Sequence, residues 1–406
     1  MYKGDVMRRN LTGNNKFLKE LNQKTILDLI RVNKVVSKAD LSQLTGLSPT
    51  AVGVIVNKLL EKGCIHETGI GESKGGRKPV MLELKPGSFY TAGIDIDVGC
   101  MSIVLIDITS NVVCTKQVKT ATGLTAEEAA VIIGTELRKI LKVNSIKQEK
   151  VLGLGISVPG LIENDSQKVI LAPNLGWKDI DLRKHITHAE KMPVYVENEA
   201  MASAICENWI GSCQGVNNFI CINIKSGIGS GIFTEGRLYR GAGGSAGEVG
   251  HVTVDENGPK CGCGNYGCLE TMASVKYMEE RARRLIRQGT ASSLNAIEDS
   301  DSININDIIS AAANGDVTAG GILLESARYL GIAISNLVNT LNPSKVIIGK
   351  EFVRYSHLVM EQLKAVVAGK ALKYPVSRVE IAASGIGEQS SALGAAIIPL
   401  KALFGK

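Results

Sequence analysis

Gly250-His251, nine further residues, then Cys261-Gly262-Cys263-Gly264-Asn265-Tyr266-Gly267-Cys268-Leu269-Glu270 is the stretch that decides how this chain is read. One imidazole and three thiols fall within eighteen positions, punctuated by glycines. Zinc takes tetrahedral nitrogen and sulfur ligands, and a Cys3His set leaves no open position, which marks a structural site. His251, Cys261, Cys263 and Cys268 are therefore the expected metal ligands, and Gly262, Gly264 and Gly267 the residues that let the backbone aim three sulfurs at one point. The rival account is three buried free thiols and an ordinary histidine. A Cys-x-Cys-x4-Cys knot is hard to explain as core packing.

Outward from that knot, 406 residues exceed one small core and imply two or three domains. No apolar stretch approaches twenty residues and the N-terminus lacks an apolar signal core, so a cytoplasmic protein without a membrane segment is expected. The other six cysteines, Cys64, Cys100, Cys114, Cys206, Cys213 and Cys221, read as small core residues of a reduced protein. Charge is unevenly placed. Residues 1–86 carry fifteen Lys or Arg against eight Asp or Glu, while the whole chain is only +6, so the remainder is close to neutral. A basic head on a neutral body suits a polyanionic partner.

The head has the pattern of a winged helix-turn-helix. Ile26, Leu29 and Ile30 give an apolar stripe on a helix from Asn22. Lys38–Thr45 follows Ser37 as N-cap, with Ala39, Leu41 and Leu44 as its apolar positions. Gly46 breaks the chain, and Ser48-Pro49 restarts a helix to Lys62 that buries Val52, Ile55, Val56 and Leu59. The second helix of such a pair lies in the major groove. Its outer face holds Thr50, Ala51, Gly53, Val54 and Asn57. Ser48, Thr50, Ala51 and Asn57 are the expected DNA contacts. Strands around 64–68 and 80–84 would form a hairpin whose tip, with Lys74, Gly75, Gly76 and Arg77, reaches phosphate or a minor groove.

Beyond Lys85-Pro86-Gly87 the texture changes to alternating, β-branched strands (91–97, 101–108, 151–158, 219–224) separated by helices such as 127–143, an α/β layered architecture. The zinc knot, with Ser157-Val158-Pro159-Gly160-Leu161, Ala172-Pro173-Asn174-Leu175-Gly176-Trp177 and Val196-Glu197-Asn198-Glu199-Ala200, resembles the ROK family of repressors and sugar kinases over essentially the whole chain. That resemblance implies an actin-like (ribonuclease H-like) ATPase fold with two lobes around a cleft. The domains would be residues 1–86 as the head, 87–196 with 383–406 as the first lobe, and 197–382 as the second lobe with the zinc site and dimerisation surface. It assigns sugar contacts to Asn174, Asn198, Glu199, Glu248, His251 and Glu270, groups suited to vicinal hydroxyls because they accept or both donate and accept.

Kinases of this family share three phosphate or nucleotide elements, and all three are altered here. Asp-x-Gly-Gly-Thr has become Asp95-Ile96-Asp97-Val98-Gly99, which puts a negative charge where ATP would place its own. Gly-Thr-Gly-Ile-Gly-Gly-Gly has become Lys225-Ser226-Gly227-Ile228-Gly229-Ser230-Gly231. An Ile-Gly-Gly turn has become Ile348-Gly349-Lys350. The kinase base triplet Glu-Asn-Asp reads Glu197-Asn198-Glu199, whose longer carboxylate is displaced by about an ångström, enough to cost on the order of 100-fold in rate.

These readings converge on a non-enzymatic repressor that binds operator DNA, with structural Zn2+, a sugar effector and a homodimeric (or tetrameric) assembly. The Glu-Asn-Glu variant resembles the xylose-responsive branch of the family, making xylose or a related aldose the expected ligand. A DNA-binding protein that keeps ATP-dependent sugar kinase activity, and a repressor controlled by a phosphotransferase-system protein, are the rivals.

Overall fold

The computed structural model describes residues 15–70, 79–190 and 192–405. Lys74, Gly75, Gly76 and Arg77, the expected hairpin tip, lie outside those residues.

The head comprises α1 (Asn15–Asn33), β1 (Val36–Ser37), α2 (Lys38–Thr45), α3 (Pro49–Glu61), β2 (Ile65–Ile70) and β3 (Val80–Leu84). Its antiparallel strands run in the order β1-β3-β2. α2 is closed at both ends, by a Ser37–Asp40 capping box and by Gly46 at φ 69°. α1 starts before the predicted Asn22; its early Leu18 and Leu21 are exposed, so no buried stripe announces those turns. The core is Ile26, Leu27, Ile30, Leu41, Val52, Val56 and Leu59. Leu29 and Ile55 are only half-buried, Ala39 and Leu44 are exposed, and Leu41 is the one fully buried residue of α2.

The body begins with β4 (Tyr90–Asp97), β5 (Cys100–Asp107), β6 (Val112–Lys119), α4 (Ala126–Val143), β7 (Val151–Val158), β8 (Leu161–Ile162), β9 (Val169–Ala172), β10 (Trp177–Ile180), α5 (Leu182–Glu190) and β11 (Val194–Asn198). It continues with α6 (Glu199–Trp209), β12 (Phe219–Ile224), β13 (Ile228–Thr234), β14 (Arg237–Tyr239), α7 (Glu270–Ala273), α8 (Val275–Arg287), α9 (Ile305–Ala313) and α10 (Val317–Leu341). β15 (Lys345–Lys350), α11 (Phe352–Lys370), α12 (Lys373–Val376), β16 (Glu380–Ala383) and α13 (Ser390–Phe404) complete it. Two five-stranded sheets result, ordered β11-β7-β4-β5-β6 and β14-β13-β12-β15-β16.

Three helical layers cover and separate them, five layers in all. α4 and α5 cover the outer face of the first sheet, and α7 to α11 cover the outer face of the second. Between the sheets lie α13, packed on β4 and β7, and α6, packed on β12 and β13. Helices on both faces bury β4, β7 and β12 almost along their length. These strands are therefore not the half-exposed alternating kind that was expected. Two close approaches need glycine: a Cβ on Gly155 would meet the Ala395 carbonyl oxygen at 1.8 Å, and one on Gly394 would meet that of Ala202 at 1.8 Å. The sheet, α13 and α6 thus touch backbone to backbone.

Two sequence expectations need correcting. Cys100 is exposed at the start of β5 and Cys114 half-buried on edge strand β6, whereas Cys64, Cys206, Cys213 and Cys221 are core residues as read. α10, alone among the described residues, is long and apolar enough to cross a membrane. Its Ile322, Leu323, Leu330, Ile334 and Val338 are nevertheless buried in the second lobe's core.

Candidate functional site

The four residues of the knot converge. A turn at Val249–His251 presents the imidazole, and bridges Thr253–Cys268 and Lys260–Tyr266 fold the loop back on it. Cys261 Sγ lies 3.6 Å from His251 Nδ1 and Cys263 Sγ 3.7 Å from Cys268 Sγ, with all four ligand atoms within 4.8 Å of one another. A disulfide would need about 2.05 Å. A tetrahedron of about 2.3 Å zinc–sulfur bonds has edges of about 3.75 Å, so the donor set fits a metal of that kind. Gly264 and Gly267 adopt positive φ (98° and 61°), as the turn requires. Gly262 is not among the positive-φ residues, so its expected turning role falls away. Because Nδ1 faces the thiols, Nε2 remains for another partner.

The expected sugar contacts occupy distinct elements. Asn198 caps α6: its Oδ1 accepts from the Ala200 and Met201 amides at 2.8 and 3.1 Å, and its Nδ2 donates to the Gly160 carbonyl at 2.9 Å. One amide hydrogen is left for a ligand. Glu199 opens α6 beside it, its side chain 15% exposed. Burial pushes its carboxyl up, the Lys225 ammonium pulls the other way, and Asp95 adds to the rise. Glu248 stands just before the His251 turn; burial raises its carboxyl too, with His251 opposing and Glu270 reinforcing. Glu270 opens α7 and accepts from the Ile228 amide at 3.1 Å. A Cβ at Gly227 would stand 2.5 Å from the same carboxylate. Asn174 is exposed in the turn Pro173–Leu175, two residues past Ala172, which abuts Gly160.

The three altered elements form a second cluster. Lys225, at the end of β12, pairs with Asp97 at the end of β4 and lies 3.9 Å from Glu199. Lys350, at the end of β15, sits 3.6 Å from Asp95 of β4 and donates to the Glu388 carbonyl at 2.8 Å. Ser157 of β7 donates to Asp95 at 2.6 Å. A third cross-lobe pair joins Arg240, after β14, to Glu197 at the end of β11. Lys350 holds φ at 60°, a conformation that costs a non-glycine residue about 1–3 kcal/mol and persists only where its surroundings impose it.

Burial pushes the Asp97 carboxyl up, but Lys225 overrides it and holds it below the usual carboxylate range. Burial likewise works against the Lys225 charge, and Glu199, Asp95 and Asp97 more than offset it. The expectation that Asp97 repels phosphate by its negative charge is therefore corrected. Its charge is cancelled, and the space between the strand ends is filled by ammonium–carboxylate pairs. Each lysine stands where the family resemblance implies a glycine, and each finds a carboxylate of β4. That complementarity was readable as one extra acid and two extra bases, though only the fold brings them together.

In the head, Ser48 accepts from the Ala51 amide at 3.2 Å as the α3 cap. Thr50 and Asn57 are exposed and Ala51 half-buried, on the face that was expected. Asn57 also accepts from Lys38 of α2 at 3.3 Å.

The ROK family pattern matches residues 91–402, and a winged helix-turn-helix DNA-binding pattern matches residues 20–66. The chain belongs to the ROK family. The xylose repressor of Caldicellulosiruptor bescii is 34% identical over 382 residues, spanning 94% of this chain and 96% of that one. A crystal structure of a ROK family transcriptional regulator, a homologue of the E. coli MLC protein, superposes with a TM-score of 0.84 at 28% identity, covering 95% of this chain and 97% of that one. A ROK family glucokinase from Streptomyces griseus, in complex with glucose and AMPPNP, gives 0.67 at 27% identity, covering 76% of this chain and 98% of its own. A ROK body can thus be matched with or without a head, and this member carries the head.

Proposed function

We propose that this ROK protein is a sugar-responsive, DNA-binding repressor whose effector is a free aldose, xylose or a near relative, and that it does not phosphorylate its ligand. The observation that carries the second half is the pairing of Lys225 with Asp97 and of Lys350 with Asp95 at the altered nucleotide elements. Those groups have no charge left over for a triphosphate, and a nucleotide would have to displace both pairs. The 34% identity to a xylose repressor across nearly the full length of both chains supports the first half.

In this reading Asn198, Glu199, Glu248, His251 and Glu270 receive the sugar hydroxyls, with Asn174 closing over them from its exposed turn. His251, Cys261, Cys263 and Cys268 hold zinc, which braces the loop that presents His251 Nε2, Glu248 and Glu270. In the head, Ser48, Thr50, Ala51 and Asn57 face operator DNA, with Lys74, Gly75, Gly76 and Arg77 as the wing. A homodimer places two heads on half-sites one helical turn apart, and sugar re-spaces them. The free cysteines suit a reducing cytoplasm.

The test is release of a duplex, selected from a random library by the full-length protein, as purified aldoses are titrated without any partner protein. Release by D-xylose or a close epimer is the expected result. Release only in the presence of a phosphotransferase-system protein would replace the sugar with that partner. ATP-dependent turnover at about 1–100 per second would make the protein a kinase.

A further inference from the structure

α6 begins at the cleft and ends at the head. Its first residues are the cap Asn198 and Glu199; its last is Trp209. Its eleven residues span about 16 Å at 1.5 Å each. The helix is buried from Ala200 to Glu207, and at Ala202 it lies backbone to backbone on Gly394 of α13, so it has little room to bend. Its far end is a socket for the head. The Arg31 guanidinium of α1 stacks on the Trp209 ring at 3.7 Å and lies 5.7 Å from the ring of Phe404, the last residue of α13. Asp28 holds the guanidinium in place with bonds of 3.0 and 2.8 Å. The indole Nε1 donates to Ser110 Oγ at 3.0 Å, tying the socket to the β5–β6 turn. Ile26, Leu27 and Ile30 of α1 belong to the same buried cluster as Trp209 and Phe404. α1 in turn packs on α3, the helix with the DNA-facing residues.

We infer that α6 is the connecting rod of this protein and that the Arg31–Trp209 stack is the joint through which occupancy at Asn198 and Glu199 re-aims the head. The inference rests on the sugar-responsive reading above and names the residues that carry the response. A ligand that draws on Asn198 and Glu199 acts on the N-terminus of a rigid, fully packed helix. Any shift of that helix appears at Trp209, and the planar, stacked guanidinium passes it to α1. Arg31 and Trp209 touch neither sugar nor DNA in this scheme; they are positioning residues.

Arg31→Lys isolates the joint, because lysine keeps the charge facing Asp28 but loses the flat stacking surface. In the full-length protein, the affinity for the selected duplex is measured with and without saturating D-xylose, and xylose affinity is measured separately without DNA. The expected result is xylose affinity within about twofold of the parent, together with a loss of about fivefold or more in the sugar-induced change in duplex affinity. Trp209→Phe should behave alike and serves if the lysine variant is poorly soluble. A second readout uses the chain's two tryptophans. With Trp177→Phe, Trp209 is the sole emitter, and xylose should change its fluorescence unless Arg31 is also changed. A parent that responds to xylose beside an Arg31→Lys variant that responds equally overturns the joint alone. A parent whose duplex affinity no aldose alters overturns the sugar-responsive reading and the joint with it.

Discussion

Carboxylates line both ends of the cleft, yet the two ends treat them differently. At the strand ends, Asp95, Asp97 and Glu197 each face a cation supplied from the opposite lobe: Lys350, Lys225 and Arg240. Around the Cys3His loop, Glu248 and Glu270 have no ion pair among the described residues. An end that satisfies its own charges leaves a ligand nothing to do. An end that holds half-buried acceptors without cations gains when a hydroxyl-rich ligand supplies donors. Glu199 stands at the boundary, 3.9 Å from Lys225 and beside the Asn198 cap. In the proposed reading, the paired end is structural and the unpaired end is the one that receives the sugar.

Changes at either end should separate them. The largest effect is expected at the metal loop: Cys268→Ser should lose the metal by elemental analysis and cost on the order of 5 kcal/mol or more in urea unfolding. Unchanged metal content would remove the zinc assignment. Next comes Lys225→Met, which strands Asp97. A fully buried broken pair costs about 3–5 kcal/mol. Partial exposure of both partners reduces that to about 2–3 kcal/mol, and Asp97→Asn in the same chain should restore most of it. Additive losses in the double variant would show that the pair is not the unit described here.

At the receptive end, Glu270→Gln should leave stability nearly unchanged, because the amide oxygen can still accept from Ile228. It should weaken xylose binding by roughly 10- to 100-fold, the worth of a charge-assisted hydrogen bond of about 1.5–3 kcal/mol. The smallest effect is in pH. Asp97, held low by Lys225, contributes stability that is in place above the usual carboxylate range and lost as pH falls through its lowered value. Glu199, raised by burial, does the reverse: its contribution is complete in acid and lost as pH rises through its raised value. At pH 7, then, Asp97→Asn should lower the melting temperature and Glu199→Gln should raise it, with both differences shrinking in acid. Shifts of the same sign at pH 7 would mean that the two ends do not differ as described.

Much of this was legible in the chain. Local chemistry wrote the element ends it controls: Ser37, and Ser48-Pro49, mark helix starts without help from distant residues. The convergence of His251, Cys261, Cys263 and Cys268 was legible because the four residues are close in sequence. Burial of α1 and α2 was less so, since Leu27 and Leu41 face inward, and Ala39 and Leu44 outward, for reasons of packing that periodicity in short helices does not encode. The cross-lobe pairs were beyond reach: Asp97 and Lys225 lie 128 positions apart, and only the apposition of two sheets makes them neighbours. Arg31 on Trp209 is hidden in the same way, since nothing near either residue announces the other.

Calorimetric titration of the full-length protein with D-xylose and, separately, with magnesium ATP tests the division of the cleft most directly. Saturable heat with the sugar and none with the nucleotide is the predicted result; saturable binding of the nucleotide, with Lys225 and Lys350 intact, would contradict it.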